Sequence, residues 1–191
     1  MTTVLDLSPI ASLTRQQFYQ LCQANPDLLL ERSPQGELII VSPVGGESGT
    51  WEADLIGDVL IWNRQTRLGV VFSSSTVFSL PGQGDRSPDV AWVRLDRWQA
   101  LTPEQRETFP PLCPDFVIEL RSKSDRLKPL QDKMQEYLDS GLRLGWLINP
   151  QDRQVEIYQP GQPVEVVNFP VALSGEEVLP GFTREFPKDF P

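Results

Sequence analysis

The sequence predicts a single α/β (α+β) domain over residues 1–191, and three observations carry that reading. Segments with apolar residues at helical spacing are interleaved along the chain with short apolar or alternating runs of strand type. Its 191 residues are enough to bury a core without disulfide or metal staples. Hydrophobic residues make up 39% and charged residues 23%, with nine Phe and five Trp, which separates the chain from disordered sequences.

Thr14 to Asn25 (TRQQFYQLCQAN) predicts the first helix, because Thr14 and Gln17 form a capping-box pair and Phe18, Leu21 and Cys22 share a face. LLLER and ELIIVSP flank the turn signal SPQG and predict an N-terminal hairpin, with Glu31 and Glu37 near its connection. VGGESG reads as a Gly-rich break. Beyond it, Trp51, Leu55, Val59 and Trp62 recur at helical spacing and predict a helix from Trp51 to Arg67 that carries Glu52, Asp54 and Asp58. Strand-type segments follow at GVVFSS and TVFSL, then DVAWV from Asp89 to Val93 after the turn residues PGQGDRSP. Thr102, Pro103 and Gln105 open a short helix. A strand from Asp115 to Arg121 precedes a helix from about Lys128 to Ser140, closed by Gly141. LGWLIN and RQVEIYQ flank the turn signal PQD and predict C-terminal strands that pair.

The chain contains no histidine, which removes Ser-His-Asp and Cys-His catalysis and zinc sites built on imidazole. Hydrolytic chemistry would have to run on carboxylates, Lys, Arg and a hard metal ion. A net charge of −9 and a pI near 4.5 oppose tight non-specific binding to duplex nucleic acid, so any phosphate-binding surface must be local. Cys22 and Cys113 lack metal-ligand spacing and read as reduced thiols. No apolar run approaches the roughly 18 residues of a membrane span, and Met1 to Leu13 lacks the basic start and apolar centre of a secretory signal. The expected compartment is the cytoplasm.

The stretch PDFVIELRSKSD, Pro114 to Asp125, is an apolar strand that ends in charge. Strand alternation puts Val117, Glu119 and Arg121 on one face and Phe116, Ile118 and Leu120 on the other. Two further segments bear on it. SPDV places Asp89 at the start of a strand, and LQDKMQEY is a helix with an apolar stripe of Leu130, Met134, Tyr137 and Leu138, flanked by Lys133. The Lys133 side chain tilts toward the helix N-terminus, and so toward the Glu119 end of the preceding strand. Two carboxylates on adjacent strands with a cation nearby suit a magnesium-type site, which takes oxygen ligands and keeps several waters. Taken singly, each residue also has a structural explanation: Asp89 as a turn cap, Glu119 as the partner of Arg121, Lys133 as a surface lysine with a buried stem.

The order PD, then E-x-cation on a later apolar strand, then K-x-x-x-Y on a helix resembles the Uma-two family of the PD-(D/E)XK restriction-endonuclease-like superfamily. The GEL hairpin at Gly36 to Leu38, SPDVAWV, PDFVIELRSKSD, KMQEY and GWLINP are similar to its blocks and cover nearly the whole chain. The resemblance implies a mixed central sheet flanked by helices, with the N-terminal hairpin and C-terminal strands as additions. It also implies a nuclease that hydrolyses DNA phosphodiester bonds with Mg2+, or with Mn2+ in its place. Carried over by position, Asp89 and Glu119 would be metal ligands with the Leu120 carbonyl as a third, and Lys133 would supply the motif lysine. Arg121 stands where that lysine is usual; always protonated, it could hold a phosphate but could not act as a base. Glu52, or else Asp54, would be the acid of the early helix. A homodimer follows from the same resemblance, with Trp62, Trp92 and Trp98 as candidates for an exposed patch. The rival readings are a catalytically degenerate nuclease scaffold serving as a binding or assembly module, and a purely structural ion-pair network.

Overall fold

The computed structural model describes residues 3–7, 12–82 and 84–188. Strand β1 (Thr3–Leu5) leads to helix α1 (Arg15–Ala24), which begins at a complete capping box between Thr14 and Gln17 and buries Phe18. Strands β2 (Leu29–Arg32) and β3 (Leu38–Val41) form the N-terminal hairpin. Helix α2 (Gly46–Thr66) then buries Leu55, Val59 and Trp62. It starts five residues before the expected Trp51. The VGGESG segment is its first turn rather than a break, closed by Gly49 N–H donating to Gly45 O at 3.0 Å. The low propensity of glycine weighs mainly on that turn, with Gly57 alone further along, while the packed face of Leu55, Val59 and Trp62 carries the helix.

Strands β4 (Gly69–Ser73), β5 (Phe78–Ser79), β6 (Asp85–Arg86) and β7 (Val90–Arg94) follow, then the short helices α3 (Leu95–Gln99) and α4 (Pro103–Glu107). Strand β8 (Phe116–Leu120), helix α5 (Leu127–Asp139) and strand β9 (Leu144–Asn149) make a β-α-β unit, and β10 (Gln154–Tyr158) returns beside β9. Strands β11 (Glu165–Asn168), β12 (Val171–Ser174) and β13 (Thr183–Phe186) complete the described fold. Strand β5 falls within the expected TVFSL segment, whereas the short elements β1, β6, α3 and β11 to β13 span too few residues for periodicity to announce them.

The central sheet runs β11-β10-β9-β8-β7-β4 and is mixed: β8 and β9 are parallel, and every other pairing is antiparallel. A parallel pair needs a crossover, and α5 supplies it. Both faces of this sheet are covered, which is why β8 and β9 are buried along their whole lengths. Phe116, Ile118, Leu144, Trp146 and Ile148 pack under α2 and under Phe182 and Phe186 of the C-terminal hairpin. Val117 and Leu147 pack under Met134 and Tyr137 of α5. Gly145 permits that approach, since a Cβ there would lie 2.4 Å from Met134 Cε. A second sheet, β1-β3-β2-β6-β5, carries the N-terminal hairpin alongside.

Trp62 and Trp92 do not form an exposed patch. They are core residues in edge contact with each other, ring centroids 5.6 Å apart, and Trp98 packs partly buried against Phe72. Their periodic placement on α2 and β7 reflects burial rather than a docking face.

Helix α2 is bracketed to the sheet by Asn63, whose amide donates to Gly69 O and accepts from Gly69 N–H, while Trp92 Nε1 donates to the same Asn63 oxygen at 2.9 Å. A Cβ on Gly69 would lie 2.3 Å from Val93 O and 2.4 Å from the Trp92 ring, neither of which can retreat. Gly69→Ala should therefore destabilise the fold by about 1–3 kcal/mol in urea unfolding. A neutral substitution would show that β4 has more freedom than this packing allows.

Candidate active site

The C-terminal end of β8 is where the charged side chains gather. The antiparallel register of β7 and β8 pairs Val90 with Ile118, so one step further sets Asp89 opposite Glu119 on the same face. Asp89 is anchored there by the Leu120 N–H, which donates to Oδ2 at 2.6 Å. Pro88 precedes it and fixes the approach of the chain. Glu119 is almost fully buried and faces α5, as alternation along β8 requires. Lys133 Nζ lies 2.9 Å from Glu119 Oε1, and the Tyr137 hydroxyl donates to the same oxygen at 3.0 Å. One turn of α5 therefore presents both a cation and a neutral donor to one carboxylate.

The sequence did not single out Glu31, which enters from the other sheet. Its Oε1 lies 2.8 Å from Lys133 Nζ and accepts from Ser87 N–H, and its Oε2 lies 3.0 Å from Arg86 Nη1. Lys133 also donates to Ser87 O at 3.0 Å. Arg86 reaches on to Glu136 of α5, donating from Nε and Nη2 to Oε2 at 2.9 and 2.6 Å. The available signal was a glutamate and an arginine closing the apolar run LLLER, a pattern that a hairpin end explains equally well. Arg86 and Glu136 carried no signal of their own.

Arg121 does not join this cluster. Its guanidinium donates to Asp125 O, Asn149 Oδ1 and Asp152 Oδ2, so it clamps the loop after β8 to the turn after β9. Among the described residues it pairs with neither Glu119 nor Asp89. Glu52, half-buried on α2, lies near enough that its charge acts on Asp89, whereas Asp54 is exposed. Asp58 pairs with Arg184. The basic residues between positions 121 and 143 do not share one surface. Lys133 is inside, and Arg143 lies near Asp115 at the opposite end of β8. Lys123, Arg126 and Lys128 remain exposed around the loop after β8. Lys123 lines an open groove of about 410 Å³ with Ser122 and the start of α2.

The electrostatics divide the carboxylates into two kinds. Burial pushes Asp89 up, the Glu119 charge adds to that, and Lys133 with the Leu120 N–H opposes it only in part, leaving Asp89 well above the usual carboxylate range. Burial also raises Glu119, against the Lys133 ammonium. Burial pushes Glu31 up as well, but the charges of Lys133 and Arg86 outweigh it and hold that carboxyl low. For Lys133, burial favours the neutral amine, yet Glu119, Glu31 and Asp89 together hold it protonated. Lys133 is thus a fixed cation and not a proton acceptor.

Among the described residues no three acidic or cysteine side chains gather closely enough to cage a metal ion. The donor set nevertheless fits a hard divalent cation that keeps its waters, because such an ion needs only one or two carboxylates. Asp89 Oδ1 and Glu119 Oε2 make no hydrogen bond to the described residues, and both carboxyls are held above their normal range by burial and by a neighbouring carboxylate, Glu119 for Asp89 and Glu31 for Glu119, which a cation would relieve.

A raised carboxyl binds its proton more tightly in the folded chain than in the unfolded one. It therefore stabilises the fold below about pH 4, and that contribution is lost as pH climbs through the folded value. Asp89→Asn removes the loss. Without divalent ions, this variant should be more stable than the wild type at pH 8, with the advantage vanishing toward pH 4, as urea unfolding will read. A variant less stable at both pH values would mark Asp89 as a structural turn cap.

Residues 15–187 match the Uma2 family, described as "Putative restriction endonuclease". The fold is similar to that of a crystal structure described as "a putative nuclease belonging to DUF820" from Anabaena variabilis. The two share 19% identity and a TM-score of 0.74, over 87% of this chain and 91% of that one. Among curated proteins none matches the chain. The family match over nearly the whole sequence bears out the resemblance read from SPDVAWV, PDFVIELRSKSD and KMQEY, and the mixed sheet agrees with it: the chain belongs to the Uma2 family of restriction-endonuclease-like proteins.

Proposed function

We propose that the protein is a nuclease that hydrolyses DNA phosphodiester bonds with Mg2+, or Mn2+, held by Asp89 and Glu119, with the Leu120 carbonyl as a third ligand. The observation that carries this reading is the charge imbalance of the cluster. Fully ionised, the carboxyls of Glu31, Asp89, Glu119 and Glu136 would set four negative charges against the two cations Arg86 and Lys133, an excess of two that the folded chain relieves by holding Asp89 well above its usual range. A divalent ion matches that excess; Glu136 Oε1 is also unpartnered but enclosed, whereas Asp89 and Glu119 lie opposite each other across β7 and β8, each with an oxygen to give.

When bound, the ion supplies Lewis acidity toward a phosphate oxygen and acidifies an attacking water. The chain's own residues do the rest. Asp89, fixed by the Leu120 amide, and Glu119, fixed by Tyr137, set the geometry before substrate arrives. Lys133 contributes charge to the phosphate as negative charge develops. Glu52 sits near Asp89 and orients a water from the α2 side. Lys123, Arg126 and Lys128 receive the phosphate backbone, a local patch on an acidic protein. The protein acts in the cytoplasm as a homodimer, so that paired sites address two strands.

The degenerate-scaffold reading is favoured by one observation: Arg121, in the usual place of the motif lysine, is committed to Asn149 and Asp152. The two readings part in one experiment. With Mg2+ or Mn2+ present, the wild type should cut DNA, Asp89→Asn and Glu119→Gln should abolish cutting, and Lys133→Ala should reduce it about a hundred- to a thousandfold. Arg121→Lys should leave activity level or lower, since it disturbs only the loop clamp. No cutting by the wild type with a large gain in Arg121→Lys would establish the binding module instead.

A further inference from the structure

Glu31 and Glu119 hold the same ammonium, yet they are equipped differently. Every oxygen of Glu31 is taken: Oε1 by Lys133 and the Ser87 amide, Oε2 by Arg86. Glu119 uses only Oε1, for Lys133 and Tyr137, and its Oε2 has no partner among the described residues. Glu31 also comes from β2, in the N-terminal sheet, whereas Asp89 and Glu119 belong to the central one. Ser87 braces both ends of the contact, its N–H on Glu31 and its carbonyl accepting from Lys133, two residues before Asp89. An ammonium has three protons, and here they meet Glu31, Glu119 and the Ser87 carbonyl.

We propose that Glu31 is a positioning residue: it stations the Lys133 ammonium beside Glu119 rather than on it, so that Glu119 can share an oxygen with a divalent ion while the cation stays in the site. The inference rests on the metal-dependent reading above and adds to it a residue from the N-terminal hairpin. Its physical basis is competition. A buried ammonium must keep a counter-ion, because leaving it unpaired is far more costly than sharing one. With Glu31 ionised, Lys133 has a partner other than Glu119 and can yield Glu119 to the ion. Without that charge, Glu119 becomes the one carboxylate in direct contact with the ammonium, which can then spread over both of its oxygens and compete with the metal for Oε2.

Calorimetric titration of the full chain with Mn2+ alone, without nucleic acid, tests this. Glu31→Gln, similar in shape but uncharged, should bind Mn2+ about ten- to a hundredfold more weakly than wild type, the usual range for groups that orient a ligand from behind. Adding Lys133→Met to Glu31→Gln removes the competitor, so the double variant should bind Mn2+ at the level of Lys133→Met alone. A merely structural Glu31 would give no such recovery. Should Glu31→Gln fail to fold, Glu31→Asp keeps the charge but draws the carboxylate back from Nζ, and it too should bind Mn2+ more weakly than wild type. Wild-type binding that these substitutions leave unchanged, or a double variant as weak as Glu31→Gln, overturns this proposal alone. Absence of Mn2+ binding by the wild-type chain overturns the metal-dependent reading and this proposal with it.

Discussion

A protonated lysine buried between two sheets needs carboxylates close by, and that need ties the N-terminal hairpin, the central sheet and α5 together at one point. Lys133 reaches Glu31 on β2, Glu119 on β8 and the Ser87 carbonyl before β7. Removing one partner of such a buried pair typically costs about 3–5 kcal/mol, because the charge left behind is unpaired. The arrangement is therefore hard to alter piecemeal. A cluster that is merely structural could reach the same geometry at lower desolvation cost with apolar side chains. Keeping four carboxyls around two cations, with three of them held above their usual range, is a design that favours the arrival of positive charge.

The position of that cluster follows from topology. A mixed sheet with both faces covered buries β8 throughout, so the only polar chemistry available to that strand is at its C-terminal end and on the face toward α5. The β8-α5-β9 crossover brings the first half of α5 over that end, and Gly145 lets the helix lie close. Asp89 arrives from the antiparallel neighbour β7, one residue outside the paired ladder, where an aspartate can accept from the Leu120 amide without breaking a strand hydrogen bond. Arg121 lies one residue beyond the end of β8, where its side chain reaches the turn after β9 and the loop that follows it. The cation in contact with Glu119 comes instead from the helix, as Lys133.

How much of this was legible in the sequence depends on the range of the interaction. The alternation of PDFVIELRSK gave the faces of β8 correctly, the capping boxes at Thr14 and Thr102 marked true helix starts, and the tilt of a helical side chain was enough to send Lys133 toward Glu119. Each of these is a local rule. Glu31 and Arg86 could not be placed, because their roles depend on how a second sheet packs beside the first, and a strand-ending Glu-Arg pair has no periodicity to betray it. The tryptophans illustrate the converse: Trp62 and Trp92 sit at regular positions that fit either a patch or a core, and only the closure of α2 over β7 decides for the core. The Gly-rich start of α2 was hidden for the same reason, since its helicity is carried by residues a turn or more downstream.

The central claim is that Asp89 and Glu119 together hold one divalent ion, with Lys133 beside it and not in its place. A crystal soaked in Mn2+ and measured at the manganese absorption edge addresses that claim without any assumption about substrate. The account predicts one anomalous peak within about 2.0–2.3 Å of both carboxylates, with Lys133 still on Glu31. A peak elsewhere, or none with the Lys133–Glu119 contact intact, would contradict it and leave the cluster as a structural ion-pair network.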